Sequence, residues 1–109
     1  MLHDFCTTSA CNDGSNPQAD LVMDSSGNIY GTTSAGGSHV IVTGGAGTVW
    51  KYNGTAESVL YKFCPSGTCT DGDGPSAGVI EDSSGNFFGV TGMGGNGSNE
   101  GVIFELSPS

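Results

Sequence analysis

One stretch of this 109-residue sequence occurs twice, and this repetition limits the folds that are open to the chain. Residues 2–37 and 60–95 align without a gap at an offset of 58, and 17 of the 36 aligned pairs are identical. Residues 47–52 then align with 101–106 at an offset of 54, because the first copy carries four extra residues around 40–43. A period of roughly 50–58 residues is typical of stacked or radial units that cannot bury their apolar faces alone. We therefore divide the chain into two repeats, residues 1–58 and 59–109.

Short strands are predicted throughout both repeats. Hydrophobic residues make up only 35% of the chain, whereas 20 residues are glycine. This composition favours strands joined by tight turns, because glycine adopts positive φ at little steric cost. No segment shows a helical period longer than two turns. The predicted strands are 2–5, 19–23, 29–33, 48–52, 57–63, 77–81, 87–91 and 101–106.

The turns between these strands carry typical turn residues. The sequence Asp-Ser-Ser-Gly-Asn occurs at 24–28 and again at 82–86. Aspartate and serine bind local backbone N–H groups, and Gly-Asn tolerates left-handed φ. A further hairpin is predicted at Asn53-Gly54, which separates two β-rich segments. We predict turn-capping roles for Asp24, Asn28, Asp82 and Asn86.

Four antiparallel strands in about 50 residues is the organisation of a β-propeller blade. The sequence therefore predicts an all-β fold of two tandem four-stranded antiparallel propeller-like blades. The second repeat contains three of these strands, and the equivalent of its fourth lies at the start of the chain. Two blades are too few to close a ring, so we expect the start of the chain to complete a blade of a neighbouring subunit by strand exchange. This predicted assembly strand comprises Leu2, His3, Asp4 and Phe5.

Four cysteines form two C-x4-C pairs at equivalent positions, Cys6 with Cys11 and Cys64 with Cys69. Zinc sites combine such pairs with further Cys or His ligands, and the two histidines stand in no such pattern. We expect a disulfide within each repeat, with metal binding and free thiols as the alternatives. Closing a six-residue loop contributes about 2 kcal/mol, which would help a chain with a thin core. Disulfides also indicate an oxidising compartment.

Acidic residues recur in the glycine-rich loops, as Asp13 in the first repeat and Asp71 and Asp73 in the second. Such loops suit calcium, which binds six to eight oxygen ligands, although the EF-hand spacing is absent and solvated turns are the alternative. Repetition of the same acids fits a structural role better than a catalytic carboxylate pair. No G-x-S-x-G motif occurs and no nucleophile stands beside a base, so we expect no enzymatic activity. Calcium is the one cofactor considered.

Charge and hydropathy exclude two classes of partner. The net charge of −9 repels nucleic-acid phosphates and anionic lipid surfaces. No apolar run approaches the length of a membrane span, and the first residues do not resemble a signal peptide. We expect neither nucleic-acid binding nor membrane insertion, and we interpret the chain as a mature or excised piece.

A glycan is the remaining candidate ligand. Trp50, Tyr52 and Tyr30 are candidates for a sugar-binding platform, although their alternation along strands fits core packing better. Asn53 and Asn96 each begin a formal glycosylation sequon. Both sequons also serve as ordinary turn sequences, and the sequence does not decide whether they are used.

Joined in order, the motifs of the two copies follow the pattern L-Y-x-F, D-G-x-x-P-x-A-G, D-x-x-G-N-[LIF]-[YF]-G-T-T and G-T-V-[FW]-x-L, with the last motif present as GTVWKY in the first copy and GVIFEL in the second. This pattern covers nearly the whole chain and resembles the GloVer tandem repeat, found in bacterial secreted or surface-anchored proteins with long repeat arrays. Its D-x-x-G-N core is also similar to the hairpin of NHL-type propeller blades. In the second copy Phe88 replaces the usual tyrosine and Val90 the first threonine, and the first copy has the insertion around 40–43. The resemblance implies an extracellular location and a repeat architecture, and it implies no reaction.

These observations predict an extracellular or cell-surface structural protein of bacterial origin. Its copies would join head to tail into a homopolymer, for which we favour a filament over a closed ring because calcium could bridge acidic loops. A piece of a longer propeller is a further interpretation. The alternative function is a carbohydrate- or ligand-binding propeller module of a larger secreted protein.

Overall fold

The computed structural model describes residues 1–7, 10–37, 45–65, 69–95, 97 and 99–107. These residues form eight strands and contain no helix, so the predicted all-β class is confirmed. No helix that could span a membrane occurs in this part of the chain. The strands are β1 (Val22–Met23), β2 (Ile29–Thr33), β3 (Thr48–Tyr52), β4 (Glu57–Lys62), β5 (Asp73–Pro75), β6 (Ile80–Glu81), β7 (Phe87–Met93) and β8 (Ile103–Leu106).

The first sheet is an antiparallel meander in the order β1-β2-β3-β4. Its two central strands have the predicted bounds, 29–33 and 48–52. The hairpin between β3 and β4 closes at Asn53, whose Oδ1 accepts hydrogen bonds from the N–H groups of Thr55 and Ala56. The register shifts between Val49 and Trp50, which face Tyr61 and Val59, so that Leu60 of β4 is the extra residue of a bulge. The outer strands of this sheet are shorter than predicted. β1, for example, begins only at Val22.

The second sheet repeats this arrangement with one difference. Strands β6, β7 and β8 pair as β1, β2 and β3 do, and β7 also pairs with β5 along its second half. The fourth strand of this sheet is therefore β5, which the sequence analysis missed. In the first repeat, β5 corresponds to a single bridge between Ser15 and Ala35. These two residues align with Asp73 and Met93, which pair in the second repeat, at the offset of 58.

Residues 2–5 were predicted to form a strand and do not form one in the structure. The equivalent residues 60–62 lie in β4, where β3 supplies the hydrogen-bonding partners. A strand needs a neighbouring strand for its backbone groups, and residues 2–5 pair with none in the described part of the chain. The local sequence is strand-forming, but the local sequence alone does not make a strand.

The core draws on both sheets. Tyr30 of β2 stacks on Phe87 of β7 with ring centroids 4.2 Å apart, and Phe63 meets Phe104 of β8 edge-on at 5.1 Å. Val49 is also buried in this core. Polar contacts also cross between the repeats, since the Thr32 hydroxyl donates to the carbonyl of Ala77 and the N–H of Gly74 donates to the carbonyl of Ala46.

Each sheet places a large aromatic ring over a glycine of the neighbouring strand. A Cβ atom on Gly31 would lie 2.5 Å from Cζ2 of Trp50, and one on Gly89 would lie 2.5 Å from Cζ of Phe104. These glycines allow the ring to lie flat on the sheet, because no side chain stands between ring and backbone. Trp50 is consequently only 8% exposed, which makes it a core residue of the first repeat.

Three sequence features lie outside the described residues. These are the insertion at 40–43, His39 within the same loop, and the sequon at Asn96. The repeat boundary after residue 58 falls inside β4, so that the sheets and the sequence repeats are out of phase.

Candidate functional site

The cysteine loops of the two repeats have the same structure. Disulfides join Cys6 to Cys11 and Cys64 to Cys69, which is the pairing within each repeat expected from the sequence. All four cysteines have left-handed φ, between 48° and 63°. The carbonyl of Cys11 accepts hydrogen bonds from Gly14 at 2.9 Å and Gly37 at 2.8 Å. The carbonyl of Cys69 accepts the equivalent pair, from Gly72 and Gly95.

Asp13 and Asp71 hold these loops in place from equivalent positions. Oδ1 of Asp13 accepts a hydrogen bond from the N–H of Cys6 at 3.1 Å, and Oδ1 of Asp71 accepts one from Cys64 at 3.2 Å. The second carboxylate oxygen, Oδ2, has a different hydrogen-bond partner in the two repeats. In the second repeat this partner is the hydroxyl of Tyr61. In the first it is Nε2 of His3, at 2.8 Å from Oδ2 of Asp13.

The three aspartates considered for calcium do not share one loop. Asp13 lies in the first cysteine loop and Asp71 in the second, while Asp73 belongs to β5. Burial raises the pKa of Asp73. Burial also acts to raise the pKa of Asp13, but the hydrogen bonds from His3 and Cys6 outweigh it and leave the pKa below 3.8. Calcium binding at these residues stays a prediction from the sequence.

The repeated turns are held by their first residue. Oδ1 of Asp24 accepts hydrogen bonds from the N–H groups of Ser26 and Asn28, both at 2.9 Å, and Oδ2 accepts the Asn28 side-chain amide. Asp82 binds Ser84 and Asn86 in the same way. Asp24, Asn28, Asp82 and Asn86 therefore form hydrogen bonds within their own turns.

A cluster that the sequence analysis did not foresee lies beside the first cysteine loop. Nε2 of His3 lies 2.8 Å from Oδ2 of Asp13 and 3.6 Å from Oε1 of Glu57, the first residue of β4. One ligand atom from each residue lies within 4.8 Å of the other two. The Glu57 side chain is only 6% exposed, and its Oε2 atom is buried without a hydrogen-bond partner among the described residues. Burial raises the pKa of this carboxyl, an effect that His3 opposes.

The sequence did contain one indication of this cluster. His3 replaces Tyr61 at a position where the neighbouring residues of the two repeats are largely identical. That exchange puts an imidazole where the other repeat has a phenol. Glu57 has no such signal, because its approach to the cysteine loop depends on the path of β4.

The outer edge of β8 is open in the described part of the chain. β8 pairs with β7 on one side, whereas its counterpart β3 pairs with both β2 and β4. Ile103 on this edge is 82% exposed. Beside it runs a groove of about 380 Å³, lined by the aromatic residues Tyr61, Phe63 and Phe104 together with Asp71 and Leu106.

The first repeat has a related groove of about 280 Å³. It is lined by Phe5, Trp50 and Tyr52, which are the counterparts of Phe63, Phe104 and Leu106. Phe5 contacts Trp50 with ring centroids 5.4 Å apart, as Phe63 contacts Phe104. We call residues 2–5 and their equivalents 60–63 the lead segments of the two repeats. Residues 2–5 therefore already contact the sheet of their own repeat through side chains, as residues 60–63 contact theirs.

Comparisons with known proteins agree with the repeat organisation. No curated protein and no solved structure matches the chain. The family described as the Gloeobacter/Verrucomicrobia repeat matches over residues 1–109, the whole of the sequence. The internal repetition, the paired cysteine loops and this match agree, and the chain belongs to the Gloeobacter/Verrucomicrobia repeat family.

Proposed function

We propose that this chain is a structural repeat module of the bacterial cell exterior, which joins further units of the same repeat head to tail by strand addition at β8. The observation that carries the proposal is the contact between the two repeats inside the chain. There, the lead strand of the second repeat is the outer strand of the first sheet, and its Phe63 packs on the second sheet. If a further repeat joined the chain in the same way, its lead segment would pair with the open edge of β8.

The register of the existing contact defines the proposed one. β4 places Tyr61 opposite Val49 and Lys62 opposite Thr48. The equivalent positions put His3 of an added unit opposite Ile103, and Asp4 opposite Val102. Main-chain hydrogen bonds along this edge would supply affinity, and the side chains would set the register.

The exposure of residues 2–5 supports a second copy of this sequence as the partner of β8. Leu2 is 70% exposed, whereas its counterpart Leu60 in β4 is 39% exposed. Ile103 on the receiving edge is also exposed, so that strand addition would remove apolar surface on both sides. An open strand edge with apolar residues is a template for pairing, and a second copy of the same sequence carries a matching segment.

The cell exterior is proposed from the cysteines and the family. Two disulfides in a small chain fit an oxidising compartment. A heterologous contact of this kind grows into a filament or closes into a ring, according to the rotation between units. A propeller-like arrangement of sheets would favour a curved array.

A carbohydrate-binding module is the second candidate. The groove of the first repeat contains Trp50 and Tyr52, which could stack on a sugar. The depth of Trp50 in the core weighs against this function, since a stacking platform needs an exposed ring face. Strand addition therefore explains more of the geometry, and the proposed role is structural rather than catalytic.

The test compares the size of the protein in solution over a range of concentrations, by light scattering and electron microscopy. We expect the native sequence to form oligomers or filaments and Ile103→Lys to remain monomeric, because a lysine on a strand edge blocks pairing. Ile80→Lys is the matched control, since Ile80 is 70% exposed on β6, at the other edge of the sheet. Assembly that survives Ile103→Lys, or a native protein that is monomeric throughout, would overturn the proposal.

A further inference from the structure

We propose that His3, Asp13 and Glu57 form a binding site for a divalent transition-metal ion, with Zn²⁺ as the probe. The imidazole and the two carboxylates converge from three separate parts of the first repeat: the lead segment, the cysteine loop and the start of β4. One ligand atom from each lies within 4.8 Å of the others, so that a modest closure brings all three to bonding distance of one ion.

The ligand types suit zinc better than calcium. Zinc accepts imidazole nitrogen and carboxylate oxygen, and a site with three protein ligands leaves a fourth position for water. Calcium requires six to eight oxygens, which these residues do not provide. The ligand set thus favours a transition ion over an alkaline-earth ion.

The burial of Glu57 is the independent observation that points to a cation. Its side chain is 6% exposed, and Oε2 is buried with no hydrogen-bond donor in the part of the chain that the structure describes. A buried carboxylate oxygen that lacks a donor is costly, and a bound cation removes that cost. The other oxygen, Oε1, already faces Nε2 of His3 at 3.6 Å.

The supporting contacts hold the ligands in place without using the metal-binding atoms. Oδ1 of Asp13 receives the N–H of Cys6, and this leaves Oδ2 for the ion. His3 packs edge-on against Phe5 with ring centroids 4.6 Å apart, which orients the imidazole. The metal would lie between Nε2 of His3 and Oδ2 of Asp13, which now contact each other directly. Contacts that orient ligands in this way typically strengthen metal sites.

The second repeat offers a natural comparison. Tyr61 takes the place of His3 there, and its hydroxyl donates to Asp71 while its ring contacts Phe63. The loop geometry is preserved and the imidazole is absent. The site is therefore specific to the first repeat, and His3→Tyr converts it into the arrangement that the protein already uses elsewhere.

The experiment is calorimetric titration of the metal-free, oxidised full chain with ZnCl₂, together with its thermal unfolding in the presence and absence of zinc. We expect one ion per chain and a higher unfolding temperature with zinc, because an ion that binds only the folded state stabilises it. His3→Tyr and Glu57→Gln should each weaken binding by at least about 10-fold. Glu81→Gln removes the same charge from an exposed position on β6 and should leave binding unchanged.

Zinc is preferred to copper or nickel as the probe. Those ions favour square-planar or tetragonal sites, whereas zinc accepts one imidazole and two carboxylates in tetrahedral geometry. No binding at millimolar zinc would overturn the proposal. Equal affinity in Glu57→Gln would also overturn it, since the ion would then not use the buried carboxylate. Retained folding of His3→Tyr, seen as an unchanged unfolding temperature without zinc, separates lost ligation from lost structure.

Discussion

The phenolic hydroxyl of Tyr30 donates a 2.9 Å hydrogen bond to Oδ2 of Asp24, the residue that caps the repeated turn of the first sheet. The hydrogen bond from the Asn28 side chain, together with those from the Asn28 backbone and Tyr30, outweighs the opposing effect of burial, so that the pKa of Asp24 falls to about 2. Phe88 occupies the position of Tyr30 in the second repeat, and Asp82 lacks this donor. The two turns therefore form a matched pair that differs by one hydroxyl.

Removing that hydroxyl should raise the pKa of Asp24. Tyr30→Phe keeps the ring that stacks on Phe87, so we expect the pKa to move from about 2 towards the ordinary 3.8 without loss of the core contact. The reciprocal Phe88→Tyr should lower the pKa of Asp82 further. Carbon-13 NMR titration of the carboxyl groups measures both shifts. An unchanged Asp24 pKa in Tyr30→Phe would contradict the role assigned to the hydroxyl.

Stability should depend on pH through the same residues. The pKa values of Asp24 and Asp82 are depressed in the fold, by hydrogen bonds that outweigh burial. Their contribution is therefore present above the unfolded value of 3.8 and is lost as the pH falls through the lowered pKa values, of which that of Asp24 is about 2. Thermal unfolding followed by circular dichroism between these limits measures the loss. Asp24→Asn should flatten this dependence, and an equally steep profile in that variant would contradict it.

The tyrosines act at the other end of the pH range. Burial, followed by the neighbouring aspartates, raises the pKa values of Tyr30 and Tyr61 to about 12 from the ordinary 10.0. Their stabilising contribution is present below 10.0 and is lost as the pH rises to about 12. Ultraviolet absorbance of the phenolates should show two tyrosines that ionise late, and Tyr30→Phe should remove one of them. A native protein without late-ionising tyrosines, or a late phase unchanged in Tyr30→Phe, would refute this.

The glycines beneath the aromatic rings should be intolerant of alanine. A methyl group on Gly31 or Gly89 would lie 2.5 Å from the ring of Trp50 or Phe104. Displacing either ring should cost about 1–3 kcal/mol, the usual penalty for overpacking. Gly97→Ala is the control, since a Cβ there meets nothing within 4 Å. Chemical denaturation of the three variants gives the comparison, and equal stability of Gly31→Ala and Gly97→Ala would argue against close ring packing.

Each disulfide should contribute to stability separately. Replacing Cys64 and Cys69 together by alanine should lower the free energy of unfolding by about 2 kcal/mol, because the loop between them is short. The same change at Cys6 and Cys11 should have a similar effect, since both loops use the same hydrogen bonds. Denaturation measures the loss, and mass spectrometry of the unreduced protein establishes the links. A link between the repeats would contradict the pairing.

The sequence predicted those strands whose ends are marked by turn residues. Asp24–Asn28 and Asn53-Gly54 flank β2 and β3, and both strands have the predicted bounds. β5 was missed because Asp73, Gly74 and Pro75 have little preference for strands. It forms because β7 extends to Met93 and offers a partner, which is a property of the assembled sheet.

The metal-ligand cluster was harder to predict for a related reason. His3 and Asp13 lie in one repeat motif, and the exchange of His3 for Tyr61 marked the position as unusual. Glu57 lies far away in sequence, at the start of β4 opposite Tyr52, and residue types do not show that this end of β4 lies beside the first cysteine loop. The residues that carry the site were visible, but their convergence depends on how β4 runs past the first cysteine loop.

The sharing of β4 affects how the protein comes apart. β4 is hydrogen-bonded to the first sheet, while Phe63 and Cys64, which follow it, are buried in the core shared with the second. Neither sheet can lose its order without exposing apolar surface of the other, so the two repeats should melt as a single cooperative unit. A chain cut at the sequence repeat would lose this coupling, because the cut would divide β4 and leave each sheet with only part of the strand that links them.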